Sequence, residues 1–561
     1  MKILLAYPYF LTTRTDVENV SSLPMGLYYL GAALLAAGHD VVLANWSELK
    51  GQPERIEAEL LDIRPDVLGI SIFSSNRWGG IDAARIARRV LPETRIIFGG
   101  IGATFLSKLL LDNFPEIDFV LRGEGEIAFP AVLDILAQGE SLDRAPNLSW
   151  RREGKVVDNP CLPLVEDLDS LPDPAKYFTF HHLSLSRGCP GKCTFCGSPR
   201  FWQGRVRFHS PAYLVDQIGQ LHRRGVRFFF VSDDTFTLRR ENVLEFCRLL
   251  LERGLCITWQ AISRVDRVDE QVLDAMRRAG CVQISYGVES GSPRIRKTLR
   301  KHTTDDQIIR AFDLTVRHGM VARAYIIYGN PGETRESVLE SAALLERIRP
   351  LVTLFHVLTV LPGTELYEKA QHDFSFSDSI WLERGEDLLY LDLDPTLDLE
   401  TVHAWGRELK EKYFEALPGY AEQAVVADTP DLHLAAADFY SRLGMTFDQG
   451  EYSTRYAPEI RDRLAEHLYG RALERAPDPK AYLGLGMLRH RQGLHEQAAE
   501  ALEQGVRHFP EDPNLRLCYG ICLMNLGALR EALPHLELVE TYPQASTYLQ
   551  RCREALNDET Y

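Results

Sequence analysis

The 561-residue chain contains no apolar run near the roughly 20 residues that a membrane span requires. Its longest candidate, LYYLGAALLAAG at 27–38, is short and runs straight into His39 and Asp40. The start, MKILLAYPYF, lacks the charged region, apolar core and small-residue cleavage site of a signal peptide, and reads as a strand. Basic charge is in deficit. With 63 Lys and Arg against 79 Asp and Glu, the net charge of −16 excludes a general binder of nucleic acid or anionic membrane. A disulfide framework is missing as well, since three of the ten cysteines crowd into one loop. Together these absences predict a cytoplasmic protein in a reducing compartment. The most informative absence lies in SLSRGCPGKCTFCGSP at 184–199, where Cys189, Cys193 and Cys196 have no fourth cysteine and no histidine close behind them. Zinc and iron–sulfur sites ordinarily take four protein ligands.

What is present divides into three architectures, as the length demands. Over residues 1–140 apolar runs alternate with helical ones. KILLAYP precedes MGLYYLGAALLAAG, DVVLAN precedes ERIEAELLDI, VLGISIF precedes GIDAARIARRVL, and RIIFGG and DFVLRG complete five strands. Near-continuous apolar strands between helices predict a flavodoxin-like, doubly wound parallel sheet with its ligand at the carboxyl ends of the strands. Turn residues stand at those ends: Ser71 to Ser75, Gly99-Gly100, and Gly123-Glu124-Gly125. LSWRREGKVVDNP (148–160) predicts a polar hairpin and LPDPAKYF (171–178) a linker. From 182 to about 362 six more strand-like runs, all but the last followed by a helix pattern, predict a partial (β/α)6 barrel.

From about residue 430 no strand-like runs remain. The 34-residue stretch at 480–513 repeats its landmarks: Gly486, Gly493, Ala498 and Leu502 return as Gly520, Gly527, Ala532 and Leu536. Pro477, Pro510 and Pro543 punctuate the helix ends. This is the tetratricopeptide period of a helix–turn–helix repeat, with about three units over 445–557. Such stacks contact mainly their neighbours, so the segment from about 445 is expected to be removable without unfolding the rest. Cys518 and Cys522 lie on a repeat helix whose inner face needs small residues, and packing accounts for them.

Gly188, Pro190 and Gly191 hold the three clustered cysteines in a loop at a strand end, where thiols can converge. A structural zinc knuckle and buried thiols are the plainer alternatives. The C-x3-C-x2-C loop, with the aromatic Phe195 before its last cysteine, resembles the radical S-adenosylmethionine superfamily. In that family three cysteines hold a 4Fe-4S cluster and leave the fourth iron to the amino and carboxylate groups of S-adenosylmethionine. VSDDTFT (231–237), ISRVDRVD (262–269), YGVESGS (286–292), YGNPGET (328–334) and LPGTELY (361–367) match the family in order, each after a strand. The resemblance implies that Cys189, Cys193 and Cys196 bind metal. It also implies that Phe195, Asp233, Asp234, Arg264, Glu289, Ser290, Gly291 and the turn Gly329, Pro331, Gly332 line the S-adenosylmethionine pocket. Asp233 and Asp234 immediately precede a helix, and capping it is their alternative role.

A flavodoxin-like domain ahead of such a barrel resembles the cobalamin-binding subclass, through SSLPMGLYYLGAAL (21–34), FGGIGATF (98–105) and DFVLRGEGE (118–126). This implies that Ser71, Gly99, Gly100, Thr104, Gly123 and Glu124 contact cobalamin. Two departures stand out. The loop YPYFLTTRTDVEN (7–19) has no histidine for cobalt, which implies cobalamin bound without its base and without histidine. Gly102 stands where the family commonly has histidine, so a corrin contact is expected to be lost.

The expected division is a cobalamin-binding domain at 1–145, hairpin and linker at 146–177, radical barrel at 178–372, helical extension at 373–444 and repeats at 445–557. The implied function is a cobalamin-dependent radical S-adenosylmethionine methyltransferase at an unactivated carbon or a phosphinate. A cyclase or rearrangement enzyme without methyl transfer is the alternative, and a docking protein with a residual cofactor core a further one. Expected partners are an external electron donor and, through the repeats, a peptide, carrier protein or other protein. No catalytic side chain is singled out.

Overall fold

The computed structural model describes residues 1–11, 22–385 and 387–558. Five parallel strands, β1 (Lys2–Tyr7), β2 (Asp40–Asn45), β3 (Val67–Ser71), β4 (Arg95–Gly99) and β5 (Phe119–Leu121), begin the first sheet. Alternation along them separates two apolar layers. Ile3, Leu5, Val67 and Ile97 pack under helices Met25–Ala36 and Ala128–Gln138. Leu4, Leu68, Ile70 and Phe98 pack under helices Pro53–Ile63 and Arg77–Val90. The hairpin forms as β6 (Leu148–Arg152) and β7 (Lys155–Asp158), but it does more than link. Trp150 pairs with Phe119, so the hairpin adds two antiparallel strands and the sheet has seven, ordered β2-β1-β3-β4-β5-β6-β7. Glu153 and Gly154, both at positive φ, make the tight two-residue turn.

The second sheet is entirely parallel, and its six strands lie side by side in chain order. Its members are β8 (His182–Leu183), β11 (Phe228–Val231), β12 (Thr258–Ser263), β13 (Cys281–Glu289), β14 (Val321–Tyr328) and β15 (Val352–Val357). The run HLSLSRG is not one strand. After β8 the chain bends, and β9 (Ser186–Arg187) pairs antiparallel with β10 (Arg207–Phe208). The buried Asp233 carboxylate holds the bend by accepting the Leu185 N–H at 2.9 Å and the Ser186 hydroxyl. That break delivers the cysteine loop to the carboxyl end of the sheet.

Beyond the barrel, a strap returns to the first domain. The buried Arg77 donates to the carbonyls of Trp381 (2.9 Å) and Glu383 (3.0 Å), and Trp78 donates to Glu383 at 2.7 Å. Helix Leu399–Gln423 then lies along the barrel, its Gly406 against the ring of Tyr328 and its Tyr413 hydroxyl donating to the Pro350 carbonyl.

The helical tail packs against the barrel across residue 445, where the sequence places its boundary. That position lies inside helix His433–Asp448, and Phe447, Tyr452, Leu468 and Tyr469 belong to the same buried core as the barrel. The Tyr452 hydroxyl donates to the Leu351 carbonyl at 3.2 Å. Distinct cores lie further along, one around Tyr482, Leu502 and Leu515 and one around Leu517, Leu523, Leu536 and Leu549. Within the repeats the spacing of 34 has a steric origin. A Cβ on Gly486 would stand 2.5 Å from Leu502, and one on Gly520 would stand 2.8 Å from Leu536. Gly493 and Gly527 take positive φ at the intervening turns.

Candidate functional site

The cysteine loop follows β9 and is held from both sides. Thr194 donates its N–H to the Leu299 carbonyl at 3.1 Å, and its own carbonyl accepts from Leu366 at 2.8 Å. Gly191 keeps two thiols close: a Cβ there would lie 3.3 Å from Cys189 Sγ and 3.9 Å from Cys193 Sγ. Cys196 faces a cavity on the other side, and burial pushes its thiol up to about 12. Among the described residues no three Cys, His, Asp or Glu side chains gather tightly enough for a single ion. A cubane takes one thiolate on each of three irons, and three free thiols in one loop are compatible with that chemistry.

Of the two adjacent acids, only one faces the cavity. Asp233 is buried under β8 and β9, and burial raises its carboxyl to about 7 against the hydrogen bonds from Ser186 and Leu185. Asp234 lines the cavity, accepts from the Ser198 hydroxyl at 2.6 Å, and is raised by burial. Arg264 sits against the cysteine loop, where a Cβ on Gly191 would be 3.6 Å from its guanidinium. Burial opposes its charge, and Asp266, at 2.9 Å, sustains it.

Glu289 has φ +67, a costly conformation for a side-chain-bearing residue. It is held there by a buried ion pair with Lys301 at 2.8 Å. The pair fills the space over Gly287, where a Cβ would lie 2.6 Å from the ammonium. Burial works against the Lys301 charge, but Glu289 and then Cys193 raise it overall. Ser290 and Gly291 are structural neighbours of this pair. Ser290 Oγ accepts from Ser292 N at 3.1 Å, and Gly291 abuts the Ser341 backbone. The turn Gly329, Pro331, Gly332 is closed by Glu333, which accepts the N–H groups of Gly329 and of Asn330 (3.1 Å). Phe195 is half-buried against the core. Lys301 and Glu333 escaped sequence reasoning. Lys301 lies in a run of exposed-looking charge, while Glu333 stands within YGNPGET with no spacing that marks it as a closing acceptor.

The cavity of about 510 Å³ spans the two domains. Ser71, Gly99, Gly100 and Gly123 at the strand ends of the first sheet form one wall, and Cys196, Ser198 and Asp234 form the other. It also continues as an apolar slot between Leu5, Gly69, Ile97 and Leu121 of the sheet and Leu27, Leu30 and Phe129 of its helices. Gly69 keeps the slot open, since a Cβ there would crowd Leu5 at 2.8 Å. Gly100, at φ +88, leaves no room for a Cβ beside Ser71 Oγ (2.9 Å). A flat macrocycle with a tail fits such a space. Among the described residues lining it there is no histidine, although residues 12–21 of the first loop lie outside the described part. Gly102 has a packing reason: a Cβ would meet the Phe73–Ser74 peptide, 2.6 Å from the Ser74 nitrogen, so no histidine fits. Thr104 accepts from Gly123 N at 3.0 Å and positions that loop. Glu124 lines the cavity, but its carboxylate is engaged by Arg187 and Arg207, both at 2.8 Å. Burial opposes its ionisation, and the two guanidiniums hold it below the usual carboxylate range.

An open-sided parallel barrel with a three-cysteine loop, sharing one cavity with a doubly wound domain, defines a radical enzyme class with a second cofactor chamber. Comparison with known proteins gives the family. Residues 183–345 match the Radical SAM superfamily, 19–133 the B12 binding domain, and 463–504 and 491–546 the tetratricopeptide repeat. The chain is 31% identical over 412 residues to an uncharacterized methyltransferase of Pyrococcus horikoshii, covering 71% of this chain and 88% of that protein. It is 28% identical over 389 residues to the anaerobic magnesium-protoporphyrin IX monomethyl ester cyclase of Rubrivivax gelatinosus, covering 66% and 70%. The fold matches the radical S-adenosylmethionine methyltransferase TsrM of Kitasatospora setae with a TM-score of 0.62 at 15% identity, over 84% of this chain and 99% of that one. The protein therefore belongs to the radical S-adenosylmethionine superfamily, in its branch with a B12 binding domain.

Proposed function

We propose that the protein is a cobalamin-dependent radical S-adenosylmethionine methyltransferase acting at an unactivated carbon or a phosphinate centre. One observation carries this reading: the strand ends of the first sheet and the Cys196 side of the cysteine loop wall the same cavity. Cys189, Cys193 and Cys196 would hold a 4Fe-4S cluster, and the slot beside Gly69, Gly99 and Gly100 would hold cobalamin. Bound there, the cluster with S-adenosylmethionine supplies a hydrogen-abstracting radical, and cobalamin supplies a transferable methyl group.

The protein's own task is placement and exclusion of water. Asp234 and Ser198 offer a hydrogen-bonded polar edge at the cavity wall, suited to hydroxyls or an ammonium. Arg264, against the thiols, suits a carboxylate. The repeats suit a protein-sized partner.

The test is product analysis on the full-length enzyme, reconstituted anaerobically with iron, sulfide and cobalamin. Deoxyadenosine and S-adenosylhomocysteine forming together would support methyl transfer. Deoxyadenosine alone would favour a cyclase or rearrangement, as the likeness to the magnesium-protoporphyrin cyclase allows. Neither product, with no iron retained, would leave only a docking protein.

A further inference from the structure

Across its six strands the barrel carries one carboxylate and one guanidinium. The carboxylate is Glu289, at the end of β13, and Lys301 already pairs with it. The guanidinium is Arg323, the third residue of β14, and among the described residues it forms no ion pair. Strand alternation gives the side it faces. Phe229, Trp259, Ala324 and Phe355 are buried under the helices, whereas Phe230, Gln260, Arg323, Tyr325 and His356 stay partly exposed. These five belong to the inner face of the barrel, and their exposure shows that this face is open to solvent.

The inner face has a polar floor and two aromatic flanks. Arg323 pairs in register with Val352, and Tyr452 of the tail bonds Leu351 one residue earlier, so Arg323 lies at the amino end. Turned with its oxygen toward the guanidinium, the Gln283 amide accepts from Arg323 Nε and Nη2, both at 3.2 Å, and stands 3.0 Å from the Gln260 amide. This row crosses three neighbouring strands. On one flank His182 stacks on Phe230 at 4.8 Å, with Phe228 edge-on to the same ring. On the other, the rings of Tyr325 and His356 are 6.1 Å apart. At the carboxyl end His182 Nδ1 lies 3.0 Å from Ser232 Oγ, and Ser232 lines the cavity that Cys196 faces. The inner face thus continues into that cavity.

We infer that the substrate carries a carboxylate on a flat, conjugated body, and that Arg323 is the residue that reads its charge. The inference rests on the methyltransferase reading, since it names the class of molecule that enzyme would act on. A mostly buried guanidinium with only amides beside it keeps its charge uncompensated, and a carboxylate bound there gains charge-assisted hydrogen bonds. One cation matches one unit of negative charge, which favours a carboxylate over a phosphate dianion. The rings on β8, β11, β14 and β15 offer faces and edges to a conjugated body. Roughly 16 Å of strand separates Arg323 from Tyr328 at the carboxyl end, so an acid held at the floor leaves its body extending toward the cysteine side.

The experiment uses the full-length reconstituted enzyme and three probes titrated by calorimetry: 2-naphthoate, its neutral amide 2-naphthamide, and 2-naphthyl phosphate. The naphthoate should bind about tenfold or more tightly than the amide, and more tightly than the phosphate. Arg323→Met should abolish the preference for the acid, and Arg323→Lys should restore part of it. A second measurement needs no variant. The photoreactive acid 4-benzoylbenzoate should label the parent on β11, β12 or β14 by peptide mapping, with protection by 2-naphthoate and none by 2-naphthamide. This labelling decides the matter if Arg323→Met does not fold. Equal binding of acid and amide, a preference that survives in Arg323→Met, tighter binding of the phosphate, or label placed outside the barrel would overturn the assignment. Deoxyadenosine formation by the parent with dithionite is measured on the same preparation. Its absence would sink the radical-enzyme reading instead, and the binding data would still judge Arg323.

Discussion

Asp233 and Asp234 are adjacent in the chain but have different neighbours in space, and they should respond differently to loss of charge. Asp233→Asn removes one of the two acceptors that hold the bend between β8 and β9. It should lower the iron retained per chain along with thermal stability. Asp234→Asn should leave iron content intact and weaken S-adenosylmethionine binding, as measured by equilibrium dialysis. A pH dependence follows for Asp233. Its folded-state carboxyl is raised to about 7 from an ordinary value of 3.8. The stability it contributes is complete below the lower value and is lost as pH rises through the window between them. Asn does not titrate, so urea-derived stability of the variant relative to the parent should improve by roughly 1.4 kcal/mol per pH unit across that window. A difference that stays flat from pH 4 to pH 7 would mean the carboxyl is ionised throughout. Glu124 gives a second test at this scale. Removing it leaves Arg207 buried without its carboxylate, so Glu124→Ala should cost about 3 kcal/mol.

At the scale of elements, strands and helices were readable wherever one apolar period ran unbroken. The five parallel strands of the first domain and the 34-residue helical repeat announced themselves through such patterns. What could not be read was a decision made by a distant group. HLSLSRG is as apolar and alternating as a continuous strand, and only Asp233, 47 residues from Ser186, breaks it. The hairpin likewise carries no local sign that Trp150 will pair with Phe119. Backbone geometry was legible where a motif set it, as at Gly100, and pairing was illegible where burial converts an ordinary charge into a partner, as at Lys301. Packing across 445 is invisible for the same reason, since no repeat pattern records that Tyr452 reaches Leu351. A chain ending after residue 511 should therefore keep the barrel core folded, while losing the core beyond Leu517 and opening the small one in which Leu515 and Cys522 cover Tyr482 and Leu502. A chain ending at 444 should be insoluble, as it exposes the partners of Phe447, Leu468 and Tyr469. Circular dichroism melts of the two chains compare them directly.

In the whole molecule the tail and the cysteine loop occupy opposite ends of the barrel. Arg277 binds Asp438 at 2.7 Å just before β13, Ala435 lies against Gly319 just before β14, and Tyr452 reaches Leu351 just before β15. All three contacts are at the amino ends of the strands, whereas the cysteines follow β9 at the carboxyl ends. A partner held by the repeats must extend around the barrel to reach the cavity. Removing residues beyond 511 should thus leave deoxyadenosine formation within about twofold and reduce turnover only of a tethered substrate. Equal loss of both would assign the repeats a structural role alone. At the other end, the strap on Arg77 and Trp78 and the Glu124, Arg187 and Arg207 set join the two domains at separate points of the cavity rim. Their consequence is one of timing. A corrin-sized ligand entering between these two fastenings would have to part buried ion pairs and hydrogen bonds, so we expect loading to be faster before the domains meet. Protein made without cobalamin should take it up only at the pace of local unfolding, and protein made with it should retain it against a large excess of competitor. Trp78→Ala, by loosening one fastening, should shorten that residence time without changing which ligand is held.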